Sequence, residues 1–209
     1  MPKAATAIKT EYDVHPGLDY ARNVLAAVEK RTGKPWEQWV DIAKKKGPKT
    51  EEAKREWLKT EHGFGTNVAG WIAEMAHDKG REGIDPDAYL AAAAGYVDTM
   101  FSGKKAGLRS IYVALVKLGR SVGADVKVCP CQTIVPFYRN HVFAQIKPAT
   151  QTRIDFGYAL GDMKPEGRLV DTGGFAKKNR ITHCIPITSV DEIDAEVKRW
   201  LKVAYEKDK

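Results

Sequence analysis

A chain of 209 residues with 43% hydrophobic content is long enough for one large domain or two small ones and too apolar to be disordered throughout. Three cysteines, no amino-terminal apolar run of seven or more residues and no stretch long enough to span a bilayer set the expectation of a reducing, cytoplasmic setting with free thiols and no membrane partner. The net charge of +7 is uneven, because residues 1–85 carry 15 Lys+Arg against 14 Asp+Glu whereas residues 104–180 carry 14 against 5.

Residues 1–16 read as a flexible tail, and residues 17–80 as a helical domain. A first helix covers Leu18 to Lys30. Trp36, Trp39, Val40 and Ala43 then recur at i, i+3, i+4 and i+7 behind Pro35, which suits a first turn, and Gly47-Pro48 stops that helix. Thr50 is an N-cap with Glu51 and Glu52 at the positive end of the dipole; the helix runs through Trp57 and Leu58 and ends at Gly63. Thr66 is expected to cap a fourth helix carrying Val68, Trp71, Ile72 and Met75. Four of the five tryptophans fall in this half, where a small domain gains apolar contact from large side chains; a tryptophan-rich core is the first reading and a stacking platform the second. The helices joined by Gly63-Phe64-Gly65 have a helix-turn-helix outline, but a near-neutral charge argues against duplex binding despite Lys44-Lys45-Lys46 and Lys49.

Residues 81–103 read as a linker and a connecting helix, with Gly83 and Asp85-Pro86 before an alanine-rich stretch from Asp87 to Phe101. Residues 104–209 read as an α+β domain. Leu108, Ile111, Tyr112, Leu115, Leu118 and Val122 mark its first helix, and after Gly123 the period becomes alternating. Strands are expected near Val126–Val128, Thr133–Arg139, Val142–Lys147, Thr152–Gly157 and Ile181–Ile187, with a short one around Arg168–Val170. Asn140 and Pro148-Ala149 mark turns. Ser189 and Glu192 form a capping box for a last helix with Ile193, Val197, Trp200, Leu201 and Ala204 on its buried stripe. The fold class is therefore α+β: a small Trp-rich helical domain followed by a two-layer sandwich in which helices cover one face of an antiparallel sheet.

Cys129-Pro130-Cys131 places two thiols on one side of a strand and His183-Cys184 lies on another, but this is not the spacing of a structural zinc site; no metal and no cofactor are expected. There is no Gly-x-Ser-x-Gly elbow, and His62 is expected to pack at a helix end. Arg153 and Asp155 share a strand face, as an exposed ion pair or as part of a site. Arg139, Lys147, Arg153, Arg168, Lys177, Lys178 and Arg180 fall on strands or the loops between them, and convergence on the uncovered sheet face creates a field for phosphate, carboxylate or a nucleic-acid backbone, with Tyr138 and Tyr158 as stacking groups. The alternative is a solvated surface. The candidate ligand-binding set is Tyr138, Arg139, Lys147, Arg153, Asp155, Arg168 and His183, with no catalytic residue assigned.

Trp36-x-x-Trp39, Trp57-Leu58-Lys59-x-Glu61-His62-Gly63 and Asn67-x-Ala69 together resemble a small bacterial helical domain of unknown function, the family numbered 4287. Leu108-Arg109-x-Ile111-Tyr112, Phe143-Ala144-x-Ile146-x-Pro148, Thr152-Arg153-x-Asp155-x-Gly157 and the run from Asp191-Glu192-Ile193-Asp194 to Trp200-Leu201 resemble a second, numbered 5655, often joined to the first. The resemblance spans about residues 20 to 206; the Cys-Pro-Cys segment departs from the family pattern. Relatives of the second have been labelled predicted transport proteins, and its layout is similar to small α+β domains suggested as iron-binding chaperones or DNA-associated modules, an analogy of fold that transfers no activity. The expectation is a cytoplasmic, non-enzymatic binding protein whose basic sheet face takes an anionic ligand, nucleic acid among the candidates. The runner-up is an enzyme in which Arg139 and Arg153 hold a small anion and Asp155 or His183 moves a proton. The third reading is an adaptor that uses the helical half.

Overall fold

In the computed structural model, which describes residues 11–209, the chain forms two units, one of residues 16–89 and one in which residues 11–15 join residues 90–209. The described residues contain seven α-helices and one six-stranded antiparallel sheet, the α+β composition expected. None of these helices is long and apolar enough to cross a membrane.

The unit of residues 16–89 is helical: α1 (Gly17–Thr32), α2 (Trp36–Lys46), α3 (Glu51–Thr60) and α4 (Thr66–Met75). Leu25 and Val28, Trp39 and Ala43, Leu58, and Val68 with Ile72 are the inward stripes of these helices, and with Phe64 they form one core. Burying each Leu, Val or Ile contributes about 1.5–3 kcal/mol. Trp39 meets Phe64 edge-on at 4.9 Å, while Trp36, Trp57 and Trp71 are partly buried against the same core. His62 packs between Trp39 and Trp57, at 4.9 and 4.4 Å, so it is a helix-end residue. The chain reverses at Gly63, whose φ of +66° lies where other residues meet steric resistance. Thr50 caps α3 by accepting from the Ala53 amide at 3.2 Å. Thr66 does not cap α4; Gly65 holds that position, and Thr66 is already the first helical residue.

The second unit contains α5 from Leu90 onward (the helix is Pro86–Met100), α6 (Arg109–Ser121), α7 (Ala195–Lys207) and strands β1 (Lys127–Val128), β2 (Val135–Tyr138), β3 (Val142–Pro148), β4 (Ile154–Tyr158), β5 (Val170–Asp171) and β6 (His183–Ile187). Strand order is β1-β2-β3-β4-β6-β5. Register aligns Val135, Ile146, Phe156 and Ile185 in one row, and Phe137, Ala144, Tyr158 and His183 in the next. These rows are buried, and α6 and α7 pack on that side. A bulge opposite Phe137 gives β3 one extra residue, and Phe143 is fully buried with its ring against Tyr205 of α7. The other face carries Tyr138, Val142, Gln145, Lys147, Asp155, Gly157 and Cys184.

Two expectations change here. Of the expected tail, residues 1–10 lie outside the described residues, but residues 11–15 are docked at β1: the Asp13 amide donates to the Val128 carbonyl at 3.0 Å, and its carboxylate accepts from the Val128 amide at 2.8 Å. Tyr12 is buried, its hydroxyl 2.9 Å from that of Tyr112. The Ser189/Glu192 capping box does not form. A 3-10 turn occupies Val190–Glu192, Glu192 accepts from the amide and hydroxyl of Thr188, and Asp194 caps α7 through the amides of Glu196 and Val197.

Candidate functional site

Because α6 and α7 cover only one side of the sheet, the opposite face is free to present side chains, and the chain from Thr172 to Ile181 folds along it. Gly157 makes that approach possible, since a Cβ there would lie 2.7 Å from Cγ2 of Ile181 and 3.1 Å from Cγ of Gln145. Between sheet and loop lies a groove of about 450 Å³ lined by Val142, Gln145, Lys147, Asp155, Gly157, Thr172, Asn179, Arg180, Ile181 and Cys184.

Of the seven expected ligand-binding residues, Lys147 and Asp155 line this groove, and Arg153 joins them through a 2.9 Å ion pair to Asp155. Tyr138 lies on the same face nearer the β1 edge, with its hydroxyl 3.0 Å from Nε2 of His15. The other three go elsewhere. Arg139 sits past the end of β2, paired with Asp125 at 2.8 Å and stacked on Tyr205 at 4.3 Å. Arg168 is held at the start of α7 by Asp194 at 2.7 Å and Glu196 at 3.1 Å. His183 lies in the row facing the helices, 1% exposed, its two ring nitrogens occupied by the Thr182 hydroxyl at 2.8 Å and the Met163 carbonyl at 2.9 Å. The four residues of the enzyme reading therefore share no cavity. Tyr158, expected as a stacking group, is fully buried.

Charge is redistributed in the same way. All six arginines between residues 104 and 180 pair with carboxylates, and Arg109, Arg120, Arg168 and Arg180 find theirs outside that segment, on Asp98, Asp13, Asp194 with Glu196, and Asp208. None of its lysines is ion-paired among the described residues, so the free charge resides on groups such as Lys147. An ammonium beside partly exposed amides is a general anion receptor. Cys184 adds no nucleophile, because burial, reinforced by the Asp155 charge, pushes its thiol up to about 11. Cys129 and Cys131 are likewise free thiols raised by burial, the former to about 12. Among the described residues no group of three or more His, Cys, Asp or Glu is placed to hold a metal ion.

Sequence reasoning missed Gln145, Thr172, Asn179 and Cys184 as groove residues. Gln145 alternates with Lys147 and was legible in principle; Thr172 and Asn179 reach the groove only through the path of a loop. Searches of curated proteins and of solved structures each return no match. The model of the family described as Domain of unknown function (DUF4287) matches residues 21–77. That described as Domain of unknown function (DUF5655) matches residues 97–208, more than half of the chain, which therefore belongs to this family.

Proposed function

We propose that the α+β unit is a binding module that holds a small anionic group, carboxylate or phosphate, in the groove on the open face of its sheet. The observation that carries this reading is Lys147: its ammonium has no carboxylate within ion-pair distance among the described residues, and it lines a groove with the side-chain amides of Gln145 and Asn179, which likewise have no hydrogen-bond partner among the described residues. Arg153 and Asp155 are occupied by each other and frame the site. Arg180 is tied to Asp208 and to the Val142 carbonyl, and so forms a fixed wall.

An exposed ammonium acting in a groove this open gives affinity that weakens as ionic strength rises. Titration of the full chain with inorganic phosphate at low and at physiological salt is expected to show saturable binding that weakens with salt and is reduced at least several-fold by Lys147→Met. No phosphate binding at low salt, or unchanged binding in the variant, sinks the proposal. The nucleic-acid version is tested by single- and double-stranded oligonucleotides over the same salt series; absence of binding at low salt removes it.

A further inference from the structure

The loop that walls the groove has a second side. There, Ala159, Gly161 and Thr182 form the floor of a hollow of about 660 Å³, and Phe175, Lys178, Arg180 and Lys207 stand around it. Three of its lining residues are cations and none is a carboxylate. Arg180 is committed to Asp208, whereas Lys178 and Lys207 have no ion-pair partner among the described residues. Phe175 is 56% exposed and stacks on no other ring of the described residues.

The backbone adds an independent sign. The Asn179 amide donates to the Gly174 carbonyl at 2.8 Å and the Lys178 amide to the Phe175 carbonyl at 3.0 Å, the paired bonds of a Schellman closure. The residue at its left-handed position is usually glycine, yet here Lys178 adopts φ +57°, as Asp78 does at φ +56° in another such closure. Lys178 is exposed, so glycine would relieve that strain without loss of packing, and the lysine side chain is held there at a conformational cost.

We propose that this hollow is a second ligand site that takes a nucleobase carrying a phosphate, the base stacking on Phe175 and the phosphate held by the ammonium groups of Lys178 and Lys207. An exposed aromatic ring beside unpaired cations is the combination that recognises both halves of such a ligand, and the volume falls within the roughly 300–1,000 Å³ of small-molecule sites. Lys147 lines only the groove, and Phe175, Lys178 and Lys207 line only the hollow, so the inference stands whether or not the groove binds an anion.

Calorimetric titration of the full chain with AMP and with ribose 5-phosphate tests it. AMP is expected to bind about ten-fold more tightly, the worth of one stacked base. Phe175→Ala erases that preference, and Lys178→Gly weakens AMP several-fold while leaving Tm unchanged or higher, because glycine accepts the left-handed backbone. Lys147→Met leaves AMP binding as it was. AMP binding no better than ribose 5-phosphate, or full AMP affinity in either Phe175→Ala or Lys178→Gly, overturns the proposal. A six-nucleotide single strand gives the source of the chemistry: affinity far above AMP with the same Phe175 dependence identifies single-stranded nucleic acid, and affinity equal to AMP identifies a mononucleotide.

Discussion

Asp208 organises the carboxy-terminal end of the second unit with one buried carboxylate. Its side chain, 1% exposed, accepts from the amides of Asn140 and His141 at 3.0 and 2.8 Å, lies 3.1 Å from Nδ1 of His141 and pairs with Arg180. Each of these partners keeps a desolvated charge satisfied, and an amide in its place accepts with one oxygen only. Asp208→Asn is expected to destabilise the protein by about 2–4 kcal/mol, read as a lower urea midpoint; a loss under about 0.5 kcal/mol refutes this account. Neither Asp208 nor His183 could be assigned from the sequence. His183 looks like a catalytic candidate when read along the chain, yet the register that sets it opposite Tyr158 turns it toward the helices, and register between strands 25 residues apart is not written in either strand alone. Lys147 and Asp155 were each legible as candidates, because β3 and β4 alternate cleanly there, but that they sit directly opposite each other is again a matter of register.

At the scale of elements, most helices and strands were readable, since apolar periodicity and glycine breaks act locally. The details that failed were those decided by neighbours in space. The start of α7 depends on Arg168, whose guanidinium binds Asp194 and Glu196 and whose amide donates to Glu196. Bonds from the Thr188, Val197 and Arg168 amides hold the carboxyls of Glu192, Asp194 and Glu196, respectively, below their ordinary range, with Arg168 adding to each. A carboxyl lowered in the folded state contributes stability that is present above its unfolded pKa near 4 and lost as pH falls through its folded value. Tm should therefore fall as pH drops from about 5 toward 3, and Arg168→Met should make that slope shallower; equal slopes refute the coupling. The seat of α6 on the sheet makes a second test. A Cβ at Gly119 would lie 2.0 Å from Cε1 of Phe137, which is itself fully buried, so Gly119→Ala is expected to cost about 1–3 kcal/mol despite the better helix propensity of alanine. A stabilised variant shows instead that the helix can lift without loss.

The whole chain is organised around a discontinuity, because residues 11–15 precede the helical unit in sequence but belong with residues 90–209. Composition cannot reveal this: a short polar stretch before Pro16 looks like a tail, and its partner strand begins more than a hundred residues later. Asp13 is the residue on which the arrangement turns. Its amide and carboxylate complete both backbone groups of Val128 that face the outer edge of β1, and the carboxylate also binds Arg120 of α6 at 2.9 Å. With Asp13 in place, β1 is an inner strand in all but length and the unit has one fewer exposed edge to offer another chain. Asp13→Ala removes the acceptor of the Val128 amide and the partner of Arg120 together, and is expected to destabilise the second unit by about 1–2 kcal/mol. Hydrogen exchange separates this from a general effect: amides of Lys127, Val128 and Cys129 should exchange faster, while those of α1 to α4 keep their protection, because their core is built from residues of their own unit. Uniform loss of protection in both units, or none at Val128, shows that residues 11–15 do not act as a strand of the second unit.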